Sequence, residues 1–569
     1  MRSKIAAVVG TVLALSGVAS VHAANTLYWD SNGGADGVGG DGVWQGAAGN
    51  WASNSAGTTT ASWANANRDT ADFRGTAGSV GISGTVEAGQ LSFNAGGYTL
   101  SGGAITLGRA AGTGSATLIN FANGSGTNTI SSPITISDSD NSGAATYTLI
   151  NNTAGTLTLG SIALTTSGGS ASGAKTLTLA ASNASGTVIV NGDLTKGLTG
   201  TASASLAIGN ASSSTNNGTF YLNGSSGIGA TSIGGGTIYL GKADSLGTGF
   251  TVGSSGSVGY TSILTNGAVA VTGTNFSELK GKSTADNTIG GATADDSSFG
   301  MNIKFSGGGS SIHLTAAAGG RVEFGGTNQG AQPFNKIGSG VVAFTATAGN
   351  GFSGTVAIDN GTLLAMNTSN TYKTGSGGTS GSATGTGAVT INAGGALGGT
   401  GYIGNSNYAT ATVAAAAASS IITPGDMNKS GVSSIGTLHL YNGLTAADGA
   451  TFYYDLDGSS IDGLDLGASA LALGGTATFN FLSLGTVTTG TPYSLVSGTG
   501  TWSGSPTFVF HAPTGYQLDS AYGTGGYVWD TSAHALSVQF AAVPEPTTLA
   551  ACGLLAFGLL RRSRRNICC

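Results

Sequence analysis

The sequence predicts an all-β chain whose body is a β-solenoid, short strands stacked coil on coil between glycine corners. Three observations lead there. Of 569 residues, 102 are glycine and only 8 proline, while 40% are hydrophobic and 8% charged; disorder goes with the opposite balance of low hydrophobicity and high charge. Short runs alternate apolar and polar residues, as in Thr99-Leu100, Ile105-Thr106-Leu107 and Thr117-Leu118-Ile119, bounded by Gly, Ser or Asn, the mark of strands with one buried face. One pentamer also recurs: Gly155-Thr156-Leu157-Thr158-Leu159, Gly186-Thr187-Val188-Ile189-Val190, Gly218-Thr219-Phe220-Tyr221-Leu222 and Gly236-Thr237-Ile238-Tyr239-Leu240. It returns at Gly354-Thr355-Val356-Ala357-Ile358, Gly361-Thr362-Leu363-Leu364-Ala365 and Gly436-Thr437-Leu438-His439-Leu440. Glycine makes the corner and Thr with β-branched or aromatic residues builds the strand after it. The first two intervals, 31 and 32 residues, suit a repeat that buries its apolar face only by stacking. A string of separate β-sandwiches is the competing architecture.

The elements follow in order. Arg2 and Lys4 precede an apolar run from Ile5 to Val21, and Val21-His22-Ala23 forms a small-residue cleavage site before Ala24. Residues 1–23 thus read as a secretory signal peptide cut between Ala23 and Ala24. Residues 24–80 hold Trp29, Trp44, Trp51 and Trp63, four of the six tryptophans. That density predicts an aromatic β-cap closing one end of the stack, with a sugar-binding platform as the alternative. Residues 81–425 are the solenoid, its later repeats degenerate. Pro424-Gly425 marks a boundary, after which strands lengthen and aromatics return, so residues 426–541 predict a C-terminal β-sandwich-like cap.

Residues 542–569 form a separate tail. Val543-Pro544-Glu545-Pro546 is extended, because proline fixes φ and turns the residue before it away from helix. Thr547 to Leu560 carries no charge, and Arg561, Arg562, Arg564 and Arg565 follow. An apolar run closed by arginines predicts a short C-terminal transmembrane helix with its basic end cytoplasmic. Its fourteen residues make about 21 Å of helix against a ~30 Å hydrocarbon core, so the span is marginal.

These motifs resemble the PEP-CTERM sorting tail of Gram-negative bacteria, with the departure that Asn566-Ile567-Cys568-Cys569 continues past the arginines. The resemblance covers about 25 residues and implies an exosortase-type processing enzyme as partner. In the body, Gly236-Thr237-Ile238-Tyr239-Leu240 with Ala243 to Gly249, and Gly361 to Leu364 with Gly385 to Gly401, resemble the autotransporter-associated β-strand repeat. That resemblance spans about a third of the body and implies a right-handed parallel β-helix on the cell surface.

Charge and chemistry narrow the function. Setting aside Arg2, Lys4, the four tail arginines and Glu545 leaves 13 basic and 24 acidic residues, a formal charge of −11. So acidic a body, with no basic patch, argues against nucleic acid. Cys552, Cys568 and Cys569 all lie in the tail, so the body has neither disulfide nor thiolate site. Gly37-Val38-Gly39-Gly40-Asp41-Gly42 matches a dinucleotide fingerprint, but no helix follows it, as that chemistry requires. His313, His439, His511 and His534 are too scattered for metal spacing. One acidic cluster, Asp455, Asp457, Asp462 and Asp465, could supply oxygen ligands to calcium, with turn-forming Asp-Gly as the competing reading. No cofactor and no catalytic residue is indicated. The expectation is a non-enzymatic, exported surface or matrix protein, held transiently in the membrane by its tail, touching exopolysaccharide or neighbouring cells. A polysaccharide-degrading β-helix enzyme and a carbohydrate-binding surface protein are the alternatives.

Overall fold

A computed structural model describes residues 24–543 apart from 34–36, 47–48, 109–114, 139–142, 167–170, 210–217, 253–260, 274–276, 282–285, 308–310, 371–380, 406–411 and 429–432. The chain coils through three faces of parallel strands, each strand pairing with its counterpart one coil on. The first face runs from Thr26–Trp29 through Ala145–Asn151 and Ala174–Ala181 to Gly351–Phe352. Tyr402–Ile403, Thr437–Leu440 and Gly463–Asp465 take it up again. The second runs from Gly42–Gln45 to Trp502–Ser503. The third starts with Ile134–Asp138, Ile162–Thr166 and Leu194–Gly197, thins to a bridge between Leu194 and Ser226, and resumes from Ala270–Val271 to Thr507–His511. Two ten-residue strands, Ser79–Ala88 and Thr99–Gly108, round the corner between the second and third faces. Their register slips between Ile82 and Thr85, where Gly84 has φ +73°, a conformation glycine adopts without strain. At the ~4.8 Å spacing of paired strands the second face is on the order of 80 Å long.

Alternation explains the core. On the second face Leu157, Val188, Phe220, Ile238, Ile263, Ile289 and Leu314 occupy one inward row of successive coils, and all are fully buried. The first four pentamers stack in register, Thr156 on Thr187 on Thr219 on Thr237. The later ones do not continue that column. Val356 stands two residues out of step on the same face, Gly361–Ala365 lies on the third face, and Thr437–Leu440 on the first. The pentamer encodes a strand entered from a glycine corner, whichever face it joins.

One charged residue enters this apolar row. Lys336 lies between Leu314 and Ile358 and is fully buried. Its ammonium donates to the carbonyls of Ile337 at 2.9 Å, Gly338 at 2.7 Å and Asn360 at 2.8 Å. Burial lowers its pKa to about 7, since a charge out of water disfavours its own ionisation.

The two ends differ. At the N-terminal end Trp51–Ala52 joins the first face antiparallel, and Trp29, Trp44, Trp51 and Trp63 form one buried cluster with Phe73, centroids 4.7 to 6.3 Å apart. At the other end the expected sandwich gives way to more solenoid. Ile421–Pro424 pairs in parallel with Ala450–Gly458, that strand with Thr476–Val487, and that one with Thr507–His511. The returning aromatics fill the same core, Phe452 stacking on Phe479 at 4.7 Å. Period-two alternation does not distinguish parallel from antiparallel pairing, which is why aromatic density there suggests a sandwich. The last described turn is an antiparallel cap, with Ala535–Ala542 pairing Pro492–Ser497, Tyr516–Leu518 and Tyr527–Asp530.

Lys336 gives a signed prediction. Because its folded pKa lies below the ordinary 10.5, the penalty is full below about pH 7 and is relieved as pH rises toward 10.5. Lys336→Met is expected to change stability at pH 7 by between zero and about +2 kcal/mol and to abolish the rise between pH 7 and 10.5, read from denaturant midpoints across that range.

Candidate functional site

The alternation that fills the core sets rows of side chains on the outside. On the second face Thr127, Thr156, Thr187, Thr219, Thr237, Ser262 and Thr288 follow one another coil by coil. They form a hydroxyl column with a ~4.8 Å repeat. Thr99, Thr129, Thr158, Ile189, Tyr221, Tyr239 and Leu264 form the column beside it. There Tyr221 and Tyr239 stack at 4.7 Å and 13°, and burial raises the Tyr239 pKa. Stacked ring on ring, the pair presents edges and hydroxyls outward, not open faces.

On the first face the outward column Thr117, Thr148, Thr178, Ala207, Ser232 and Thr251 runs beside Thr146 and Thr176. The Thr176 hydroxyl is 2.9 Å from that of Ser205. Side-chain volume falls along these columns, from Ile150 to Ala180 and from Thr178 to Ala207. The loss leaves a recess of about 330 Å³ lined by Thr146, Thr148, Thr178, Ala180, Ala207 and Ser232 among others. Its lining carries no charge. Threonine hydroxyls beside methyl groups suit a neutral ligand with its own hydroxyls.

The acidic cluster is divided. Asp455 and Asp462 are buried, and the Asp462 carboxyl accepts from the backbone N–H groups of Gly436 at 2.8 Å and Asp455 at 2.9 Å. Burial, first among the causes, pushes Asp462 up to about 7 and raises Asp455. Asp457 points to solvent. Asp465 lies on the outside of the first face, bonded to His439 Nδ1 at 2.8 Å, the Tyr441 hydroxyl at 3.3 Å and Gly467 N–H at 2.9 Å. Burial and Asp465 together push Tyr441 up to about 12. Among the described residues no three metal-ligating side chains converge, so the spacing that suggested calcium does not become a cage.

Asp455 instead fastens a hairpin, Asp426–Met427 with Ser433–Ser434. Arg321 holds its other strand through Asp426 and the Met427 carbonyl, both at 2.6 Å, and Met427 covers Val341, Ala343 and Leu364. The remaining histidines stay apart: His313 faces Asp286 at 3.4 Å and His534 lies 5.9 Å from Trp502.

Trp29, Trp44 and Trp51 are 0% exposed and Trp63 1%, so none can serve as the sugar platform weighed from their density. Ala24 is the first described residue and Val543 the last. Ala23, Pro544, Glu545, Pro546, Arg561, Arg562, Arg564 and Arg565 lie outside the described residues, as does the expected transmembrane run. Among those described, no helix is long and apolar enough to cross a membrane.

The geometry defines a parallel β-solenoid with hydroxyl-lined outer faces. No family model matches the chain. It is similar to the adhesin BmaC autotransporter of Brucella suis biovar 1 (strain 1330), 40% identical over 117 residues. That match covers 20% of this chain and 3% of the adhesin.

The burial of Asp462 should be visible in stability. With a folded pKa near 7 against an ordinary 3.8, Asp462 contributes no penalty below about pH 4, and stability falls as pH rises toward 7. In Asp455→Asn an amide can donate to an ionised Asp462, so the fall in thermal midpoint between pH 4 and 7 should shrink.

Proposed function

We propose that this chain is an exported, cell-surface or matrix adhesin that acts by contact and not by turnover. The observation carrying this reading is the run of uncharged hydroxyl columns along the first two faces. The likeness to an autotransporter adhesin supports it from an independent side. Each hydroxyl contact is weak, but a repeat every ~4.8 Å lets an extended polymer meet many in register. The partner is a neutral, hydroxyl-rich glycan such as an exopolysaccharide or the surface of a neighbouring cell. The tail is the address: the signal peptide takes the chain across the inner membrane, the uncharged run holds it there, and an exosortase-type enzyme acts at Val543-Pro544-Glu545-Pro546.

Retention of the purified protein on immobilised neutral glycans, acidic glycans and bare matrix tests the reading. Neutral glycans should retain it, and Ala207→Phe, which fills the recess without touching the core, should cut retention about tenfold, worth 1.4 kcal/mol. Equal retention on bare matrix, or release of shortened sugars, would contradict it.

A further inference from the structure

We propose that one corner of the last coil rests on a lipid bilayer, beside the point where the tail leaves the body. The inference depends on reading the tail as a membrane segment. Val43, Tyr453, Leu482, Leu484 and Val543 are exposed large hydrophobics, and all but Val43 lie in the last coils and cap.

Leu482 and Leu484 owe their exposure to an overhang. Third-face strands such as Arg321–Phe324 and Val341–Phe344 have four residues, whereas Thr476–Val487 has twelve. Its far end pairs with Leu456 and Gly458 across a register slip. Two residues apart on one strand, Leu482 and Leu484 project to the same side, 55% and 40% exposed.

The overhang and the tail exit are tied to the same cap strands. Val487 N–H donates to the Tyr516 hydroxyl at 3.3 Å and Gly490 N–H to the Phe540 carbonyl at 3.1 Å. Tyr516 pairs with Ala542, and Val543 N–H donates to the Gly515 carbonyl at 3.0 Å. The uncharged run begins at Thr547, so only Pro544, Glu545 and Pro546 intervene, a reach on the order of 10 Å. A tail inserted there brings this corner to the lipid surface. Tethering also supplies a millimolar-scale effective concentration, so a shallow contact by two leucines is enough. Residues 430–543 contain seven aspartates, with Asp457 beside Gly485, and no lysine or arginine, so the contact draws nothing from anionic lipid and rests on the leucines alone.

The test uses the full chain reconstituted in phosphatidylcholine vesicles carrying a photoactivatable acyl chain, with labelled peptides identified by mass spectrometry. Label is expected on residues 544–569 and, within the body, on the peptide spanning Leu482 to Gly490. Leu482→Asp with Leu484→Asp should remove most of the body label and leave the tail label unchanged. A labelled tail with an unlabelled overhang, or body label that survives the double substitution, overturns the proposal. An unlabelled tail removes the membrane reading itself, and the proposal with it.

Discussion

Everything in this molecule depends on parallel strands stacking in register, coil on coil. Each strand finds its backbone partners in the coils before and after it, so one continuous ladder satisfies N–H and C=O groups along a whole face. The same register aligns inward side chains into columns, and a column stays dry only if nearly every coil supplies an apolar residue there. Coil length is free by comparison. Thr219 and Thr237 pair across 18 residues and Ala357 and Thr390 across 33, because the surplus leaves at the corners. A body without cysteine can be held by this alone, since burial and hydrogen bonding accumulate with each added coil.

The register also organises the surface. Outward columns are under no demand for dryness, yet they inherit the regular spacing of the ladder. Threonine serves both sides of the problem: its β-branch suits the strand and its hydroxyl meets water or a partner. A polymer-facing surface thus arises from the periodicity that makes the core, while the recess on the first face needs only the loss of a few methyl groups at Ala180 and Ala207. The departures from regularity are local. Lys336 is accommodated by three carbonyls, and the Asp455–Asp462 pair fastens a hairpin across the third face.

Much of this could be read from residues alone. Two-residue alternation announced strands, glycine corners announced coils, and the first three pentamers lay in one column as their intervals of 31 and 32 residues implied, with the fourth joining it after only 18. The N-terminal tryptophans did mark a buried end. Other features were hidden for physical reasons. The pentamer names a strand entry, not a face, so its later copies scatter over all three. Aromatic strands after Pro424 look the same whether paired parallel or antiparallel, so continued solenoid resembled a new domain. Clustered aspartates in sequence were separated by what covers them, not by alternation: Asp455 and Asp457 share one side of a strand, yet Asp455 is buried beside the hairpin and Asp457 is exposed. The recess is made by missing volume, which no motif records, and the overhang at Leu482 is visible only once its pairing partner is known.

The distance between spin labels at Thr156 and Thr390 tests the stacked register most directly. These residues are linked by nine in-register steps of one outward column. With ~4.8 Å per step a single narrow distribution near 43 Å is expected. A broad distribution, or a distance unrelated to the number of coils, would mean that the body is not one stack.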